Sequence, residues 1–222
     1  MQLRAFWEQA TRHGFTDRVE ILEDGFVGTP IQLLGDETGF SFSHSEITSD
    51  SNEGLLNIHA NKIQIGKLDF RPQINVNNSA EVALLEDIRD SSNRQFIMQR
   101  KKDGVVWWKG YITTKIFSYP EKGTRFFAHI RATDFELLKG VDYTLDDTRQ
   151  TFIQTISDIV GDLNLGLDIR TQTSWITENT TDSVDFLQQI YHETRALREL
   201  ARTGDETDQP ASKWQALEWV SA

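Results

Sequence analysis

The chain contains no cysteine. That absence removes three classes at once: a disulfide-stapled scaffold, a thiol nucleophile and a thiolate metal site. Histidine is sparse, and the five present, His13, His44, His59, His129 and His192, never stand at metal-ligand spacing. His192-Glu193 opens like a zincin motif, but Thr194-Arg195-Ala196 follows and the second histidine is missing. A glycine-rich phosphate loop is also missing, because Gly25-Phe26-Val27-Gly28 lacks the Lys-Ser/Thr that must follow. No run of about 18 apolar residues occurs, so no transmembrane helix and no membrane insertion are expected. Residues Met1 to Glu8 hold no signal-peptide core, which points to synthesis in the cytosol.

Positive charge is the next deficit. Lys and Arg number 23 against 34 acidic residues, for a net charge of −11. Such a chain does not grip a phosphate backbone by bulk electrostatics. An acidic wall repels DNA and lets it slide past without tight binding.

What remains suits a globular protein. The 222 residues are 38% apolar and 26% charged, enough for one large or two small domains with real cores. Catalytic groupings are unframed. Ser43-His44-Ser45-Glu46 places a nucleophile beside a base in sequence only, with no G-x-S-x-G around it. Asp146 and Asp147, with Glu136 and Asp142 close by, read first as helix-capping carboxylates. A glycosidase pair stays open, since its two carboxylates need not be neighbours in sequence. No catalytic, cofactor-binding or metal-binding residue is assigned.

Taken in order, the first half alternates in the manner of strands. Leu3 to Gln9, Arg18 to Glu23 and Phe26 to Leu34 form the opening strands, with turns at His13-Gly14 and Asp24-Gly25. Phe40 and Phe42, then Leu56, Ile58, Ile63 and Ile65, continue the alternation. Phe70 to Ser79 reads as irregular. Val82, Leu84, Leu85 and Ile88 fit a short helix, and Gln95 to Gln99 a strand leading through Asp103-Gly104.

The hairpin that follows is the most informative stretch. Val105 to Tyr119 reads as a strand, Pro120-Glu121-Lys122-Gly123 as the turn, Thr124 to Arg131 as the return strand, and Ala132 to Lys139 as a short helix. Alternation sets Phe127, His129 and Arg131 opposite to Phe126, Ala128 and Ile130. Trp107 and Trp108 are adjacent, so one faces each side: one in a core, the other exposed or covered by another subunit.

After Tyr143 the pattern turns helical. Phe152, Ile153, Ile156, Ile159, Val160 and Leu163 form one stripe of a helix from Arg149 to about Leu163. Thr180 to Arg202 fits a second helix, with a β reading of Phe186 to Tyr191 left open, and Trp214 with Leu217 begins a third. The expected fold class is α+β. A β-rich, sandwich- or barrel-like domain spans 1–145, and a smaller helix-containing domain spans 146–222.

Trp107-Trp108-Lys109-Gly110-Tyr111-Ile112, followed by Ala132-Thr133-Asp134-Phe135-Glu136-Leu137-Leu138-Lys139, resembles tail proteins of phages and prophages of the Bacteroidetes type. Those carry a W-x-G-x-[IV] strand and, further on, an A-[ST]-D-G-L-x-x-L-K segment. Arg18 to Ile21 with Gly25 to Leu33 is similar to their N-terminal hairpin, and Lys213 to Val220 to the helix that comes next. Phe135 and Glu136 depart from the Gly-Leu of that pattern, and a bulky residue there needs an ordinary helical φ.

The resemblance implies a structural virion protein near the tail tip, of baseplate-hub or distal-tail type, made in the host cytoplasm. Its expected partners are copies of itself in a ring, a trimer or a hexamer, and other tail proteins. Trp107, Trp108, Phe117, Tyr119 and Trp214 are the expected interface anchors. Two rival classes are a carbohydrate-binding module of a receptor-binding tail part and a hydrolase acting on cell-wall glycan or peptide.

Overall fold

The computed structural model describes residues 1–11, 13–46, 64–92, 94–113, 123–135, 137–138, 149–166, 174–176, 183–185, 191–193, 213 and 217. Contacts divide the chain into two units. One comprises Met1–Ser45 and Ile65–Asp134; the other comprises Glu46–Gln64 and Phe135–Ala222. The chain is α+β and mostly sheet.

The first unit is built on one large sheet, antiparallel in most of its pairings and parallel between its first and third strands. Its strands are β1 (Gln2–Ala10), β2 (Thr16–Glu23), β3 (Ile31–Gln32), β4 (Leu34–Glu46) and β5 (Gln64–Asn75). After helix α1 (Ser79–Asp90) come β6 (Phe96–Lys102), β7 (Val105–Ile112), β8 (Arg125–Phe127) and β9 (Ile130–Thr133). The order across the sheet is β3-β1-β2-β6-β7-β9-β5-β4, with β8 also on β5. β3 lies beside β1 at one edge and β4 beside β5 at the other, yet only Leu33 separates β3 from β4. Two edges joined by one residue force the sheet to curl, and it forms a half-barrel.

The core fills the concave side. Val19 and Ile21 of β2, Leu68, Phe70 and Ile74 of β5, Phe96 and Met98 of β6, and Ile130 and Ala132 of β9 are all buried there. The period-2 alternation of the sequence supplies that face. α1 adds Leu84, Leu85 and Ile88, one stripe of an amphipathic helix. Asn78 caps α1 by accepting from the Ala80 N–H at 3.2 Å, and its Nδ2 donates to Glu81 Oε1 at 2.8 Å. Each such large apolar side chain contributes roughly 1.5–3 kcal/mol on burial.

Pro72 departs from expectation. The sequence reads Phe70 to Ser79 as irregular, but β5 runs through Pro72 to Asn75. The partner strand records the reason it can. Phe70 pairs with Ile130 and Gln73 with Phe127, so β8 and β9 keep one register and are interrupted only at Ala128–His129. The Ala128 N–H donates to the Pro72 carbonyl at 3.0 Å, and Pro72 has no N–H to return the bond. The ladder lapses at that point and resumes on either side.

The hairpin after Gly104 is antiparallel, with Tyr111 opposite Thr133 and Ile112 opposite Ala132. Its turn, Pro120 to Lys122, lies outside the described residues, as do Phe117 and Tyr119. Ala132 and Thr133 remain in β9 rather than opening a helix; a single turn follows, in which the Leu138 N–H donates to the Phe135 carbonyl at 3.0 Å.

In the second unit, β10 (Arg149–Thr151) precedes helix α2 (Phe152–Gly161), so the helix starts three residues later than the spacing predicts. α2 buries Thr155 and Ile159, and Leu163 and Leu165 are buried just beyond it. Asn164, at φ +51°, and Gly166, at φ +62°, end the helical path. The helix expected over 180–202 is overturned where the chain is described. β12 (Ser183–Asp185) pairs with β11 (Ser174–Ile176), and β13 (Tyr191–Glu193) pairs with β10. Strand pairing outweighs a helical spacing that only a few apolar residues support. Lys213 and Leu217 are helical, Leu217 is buried, and Lys213 is ion-paired with Asp162.

Candidate functional site

The two segments that carry the family resemblance meet in space. Trp108 and Gly110 lie two apart on β7 and so share its concave face. The Trp108 indole N–H donates to Asp134 Oδ2 at 3.2 Å. The Gly66 N–H donates to both Asp134 oxygens at 3.1 Å. Asp134 is buried at the end of β9, and these donors satisfy a carboxylate that would otherwise be costly there. A Cβ on Gly110 would stand 2.6 Å from the Thr133 carbonyl oxygen and against the indole ring. Phe42 meets the same indole edge-on, with ring centroids 5.7 Å apart. Trp108, Gly110 and Asp134 therefore form a buckle between β7, β9 and β5. Its work is structural, and half-buried Trp108 is a packing residue as well as an expected anchor.

Trp107 has the opposite setting. The pairing of β6 with β7 shifts between Arg100–Trp108 and Lys101–Val106, and Trp107 is the extra residue of that bulge. It is 63% exposed, and Phe15, Val105 and Val106 are exposed around the same end of the sheet. The Lys102 ammonium lies 4.1 Å from the Phe15 ring centroid and 5.4 Å from that of Trp107. The tip is rigidly held. Asp103 and Gly104 turn with φ of +49° and +80°, and the Asp103 side chain accepts from the Thr16 N–H at 2.9 Å. The remaining expected anchor, Trp214, lies outside the described residues.

A third feature was only half legible in sequence. Asp69, Arg71, Phe127, His129 and Arg131, on the convex face of β5, β8 and β9, line a cleft of about 440 Å³ together with Phe40 and Ser41 of β4. Asp69 Oδ1 is 2.7 Å from His129 Nε2 and accepts from Arg131 Nε at 2.7 Å. Burial pushes the Asp69 carboxyl up, but the hydrogen bonds and charges of Arg131 and His129 outweigh it and hold the group below its ordinary range. Alternation places Phe127, His129 and Arg131 on this face; Asp69, some sixty positions earlier, arrives only through the pairing of Asp69 with Arg131.

On the chemistry, Ser41 and His129 share the cleft, and the His129 Nε2 is engaged by Asp69 rather than by Ser41. Among the described residues, no cluster of three His, Asp or Glu is arranged to hold a metal ion. The side chain of His44 and residues Glu136, Asp142, Asp146 and Asp147 lie outside the described residues. Comparison with protein-family models, curated proteins and solved structures finds no match to this chain.

Proposed function

We propose that the chain is a structural component of a phage tail tip, of baseplate-hub or distal-tail type. It assembles with copies of itself into a ring and joins the tail tube to receptor-binding parts. The observation that carries this reading is the rigid apolar tip of Trp107, Val105, Val106 and Phe15, which no element of its own unit covers. An exposed tryptophan held on a hairpin end is the kind of anchor that a protein interface buries. The resemblance of the Trp108–Gly110 and Ala132–Asp134 segments supplies the tail context, and in this chain the two segments are joined by the Trp108–Asp134 hydrogen bond.

In this reading, assembly is driven by burying the tip against an identical neighbour. The net charge of −11 suits a conduit past which DNA moves without being held. The test is native mass spectrometry of the purified protein across a concentration series, alone and with the tail-tube protein. A trimer or a hexamer supports the ring and separates hub from distal-tail types. A monomer at every concentration in both conditions overturns it.

A further inference from the structure

The convex face of β5, β8 and β9 carries side chains that neither the core nor the Trp107 tip uses. The register common to β8 and β9 pairs Asp69 with Arg131, Gln73 with Phe127 and Asn75 with Arg125, and carried across the gap between the two strands it brings Arg71 level with His129. Two guanidinium groups, of Arg71 and Arg131, and the His129 imidazole thus share the cleft with one carboxylate, Asp69, on a chain whose net charge is −11. The local sign is reversed relative to the molecule.

The individual groups differ in what they leave available. Asp69 holds His129 and Arg131 in place, so neither must give up side-chain freedom when a ligand arrives. His129 spends Nε2 on Asp69 and leaves Nδ1 without a partner among the described residues. Asp69 Oδ2 is 3.5 Å from Arg131 Nη2 and keeps room to accept another bond. Arg71 is exposed and makes no hydrogen bond or ion pair among the described residues. Phe127 is 54% exposed in a row whose other members are all polar. The Ser41 hydroxyl stands on the β4 side of the same cleft.

We infer that this cleft binds a carboxylated sugar, of the uronic- or sialic-acid class, within a surface glycan. Arg71 takes the carboxylate in a bidentate pair, the contact for which a guanidinium is shaped. Ser41, His129 Nδ1 and Asp69 Oδ2 take ring hydroxyls. Phe127 packs on the apolar face of the ring. The volume, about 440 Å³, lies within the usual small-ligand range of roughly 300–1,000 Å³. Each alternative leaves a residue unexplained. A bare anion makes no use of Phe127, and an apolar peptide makes none of four charged or ionisable groups. A nucleic acid meets Asp69 and the acidic bulk of the chain. The site stands independently of whether the chain forms a ring.

The test uses the full chain and saturation-transfer NMR. N-Acetylneuraminate and galacturonate are the acidic probes; galactose, acetate, inorganic phosphate and a short single-stranded oligonucleotide are the comparators. The expected result is transfer to at least one acidic sugar and none to galactose or acetate. Arg71→Ala, at an exposed position, should weaken the bound sugar about tenfold or more. Arg71→Lys should recover only part of the loss, since charge returns without the fork. Phe127→Ala should weaken the sugar while leaving folding intact. Absence of transfer from both acidic sugars overturns the proposal. So does equal binding by Arg71→Ala, binding of acetate or phosphate as strong as that of sugar, or displacement of the sugar by the oligonucleotide.

Discussion

The Trp108 indole N–H reaches across from β7 to Asp134 Oδ2 at 3.2 Å, while the Gly66 N–H on β5 holds the same carboxylate from the other side. One side chain at the end of β9 thus ties three neighbouring strands. Asp134→Ala removes the acceptor and leaves a buried backbone N–H and an indole N–H unsatisfied. The expected loss of folding stability is about 2–3 kcal/mol. Asp134→Asn keeps one acceptor oxygen and should lose clearly less. Urea unfolding of both variants checks the order; equal stability of wild type and Asp134→Ala would remove the buckle from the account of this fold.

Gly110 makes a companion case, and it is steric. A Cβ there would meet the Thr133 carbonyl at 2.6 Å, and a backbone atom inside a paired strand cannot swing aside. Gly110→Ala should cost about 1–3 kcal/mol through forced backbone shifts. Gly25 is the control, because its φ is +75° but nothing lies within 4 Å of an added Cβ. Gly25→Ala should cost only the left-handed penalty, about 1 kcal/mol. Thermal unfolding that ranked Gly25→Ala as the worse of the two would contradict the close approach of β7 and β9.

The same two positions show what the sequence can and cannot disclose. The W-x-G spacing puts Trp108 and Gly110 on one face, which alternation alone predicts. That Asp134 and Gly66 complete the group depends on which strands become neighbours, and no local pattern encodes that order. α1 was legible because Leu84, Leu85 and Ile88 repeat at helical spacing. The fate of Pro72 was not: proline reads as a breaker, and only the paired strand reveals that its missing N–H falls at the gap between β8 and β9. Residues 180–202 misled for the converse reason, since β12 and β13 are set by pairing with β11 and β10 rather than by their own spacing. In the cleft, the shared face of Phe127, His129 and Arg131 could be read directly; Asp69 and Arg71 could not.

Glu20 links the fold to pH. It is 4% exposed on β2, ion-paired with Arg18 at 2.8 Å and Lys101 at 2.9 Å, and it accepts from the Gln99 side chain across the ladder. Burial pushes its carboxyl up, but the hydrogen bonds of Lys101 and Gln99 and the charges of Lys101 and Arg18 prevail and lower it below the ordinary value of 4.5. A group depressed in the folded state adds stability that is fully present above its unfolded value. That stability is lost as pH falls through the folded value. Asp69, lowered from 3.8 by Arg131 and His129 against burial, acts in the same direction. Glu20→Gln should therefore be less stable than wild type at pH 7, by about 1–3 kcal/mol. The difference should shrink once the pH drops below Glu20's depressed value, where the wild-type side chain is also neutral. Denaturant midpoints between pH 7 and the acid limit test this, and a gap that stayed constant or widened toward acid would show that Glu20 is not held as a carboxylate.

Trp107 separates folding from assembly. Its ring is 63% exposed at a bulge, outside the core that Trp108 packs against. Trp107→Ala should change the free energy of unfolding by no more than about 0.5 kcal/mol, as expected for a surface position. Trp108→Ala should cost several times that, because it strips packing from Phe42 and a hydrogen bond from Asp134. If the tip is the contact between copies, Trp107→Ala should also raise the concentration needed for self-association at least tenfold, since buried tryptophans dominate interfaces. Native mass spectrometry and chemical denaturation on the same two variants read both quantities. Loss of association with stability retained assigns the tip to the interface. Association unchanged in Trp107→Ala removes this anchor and moves the contact to another surface of the chain.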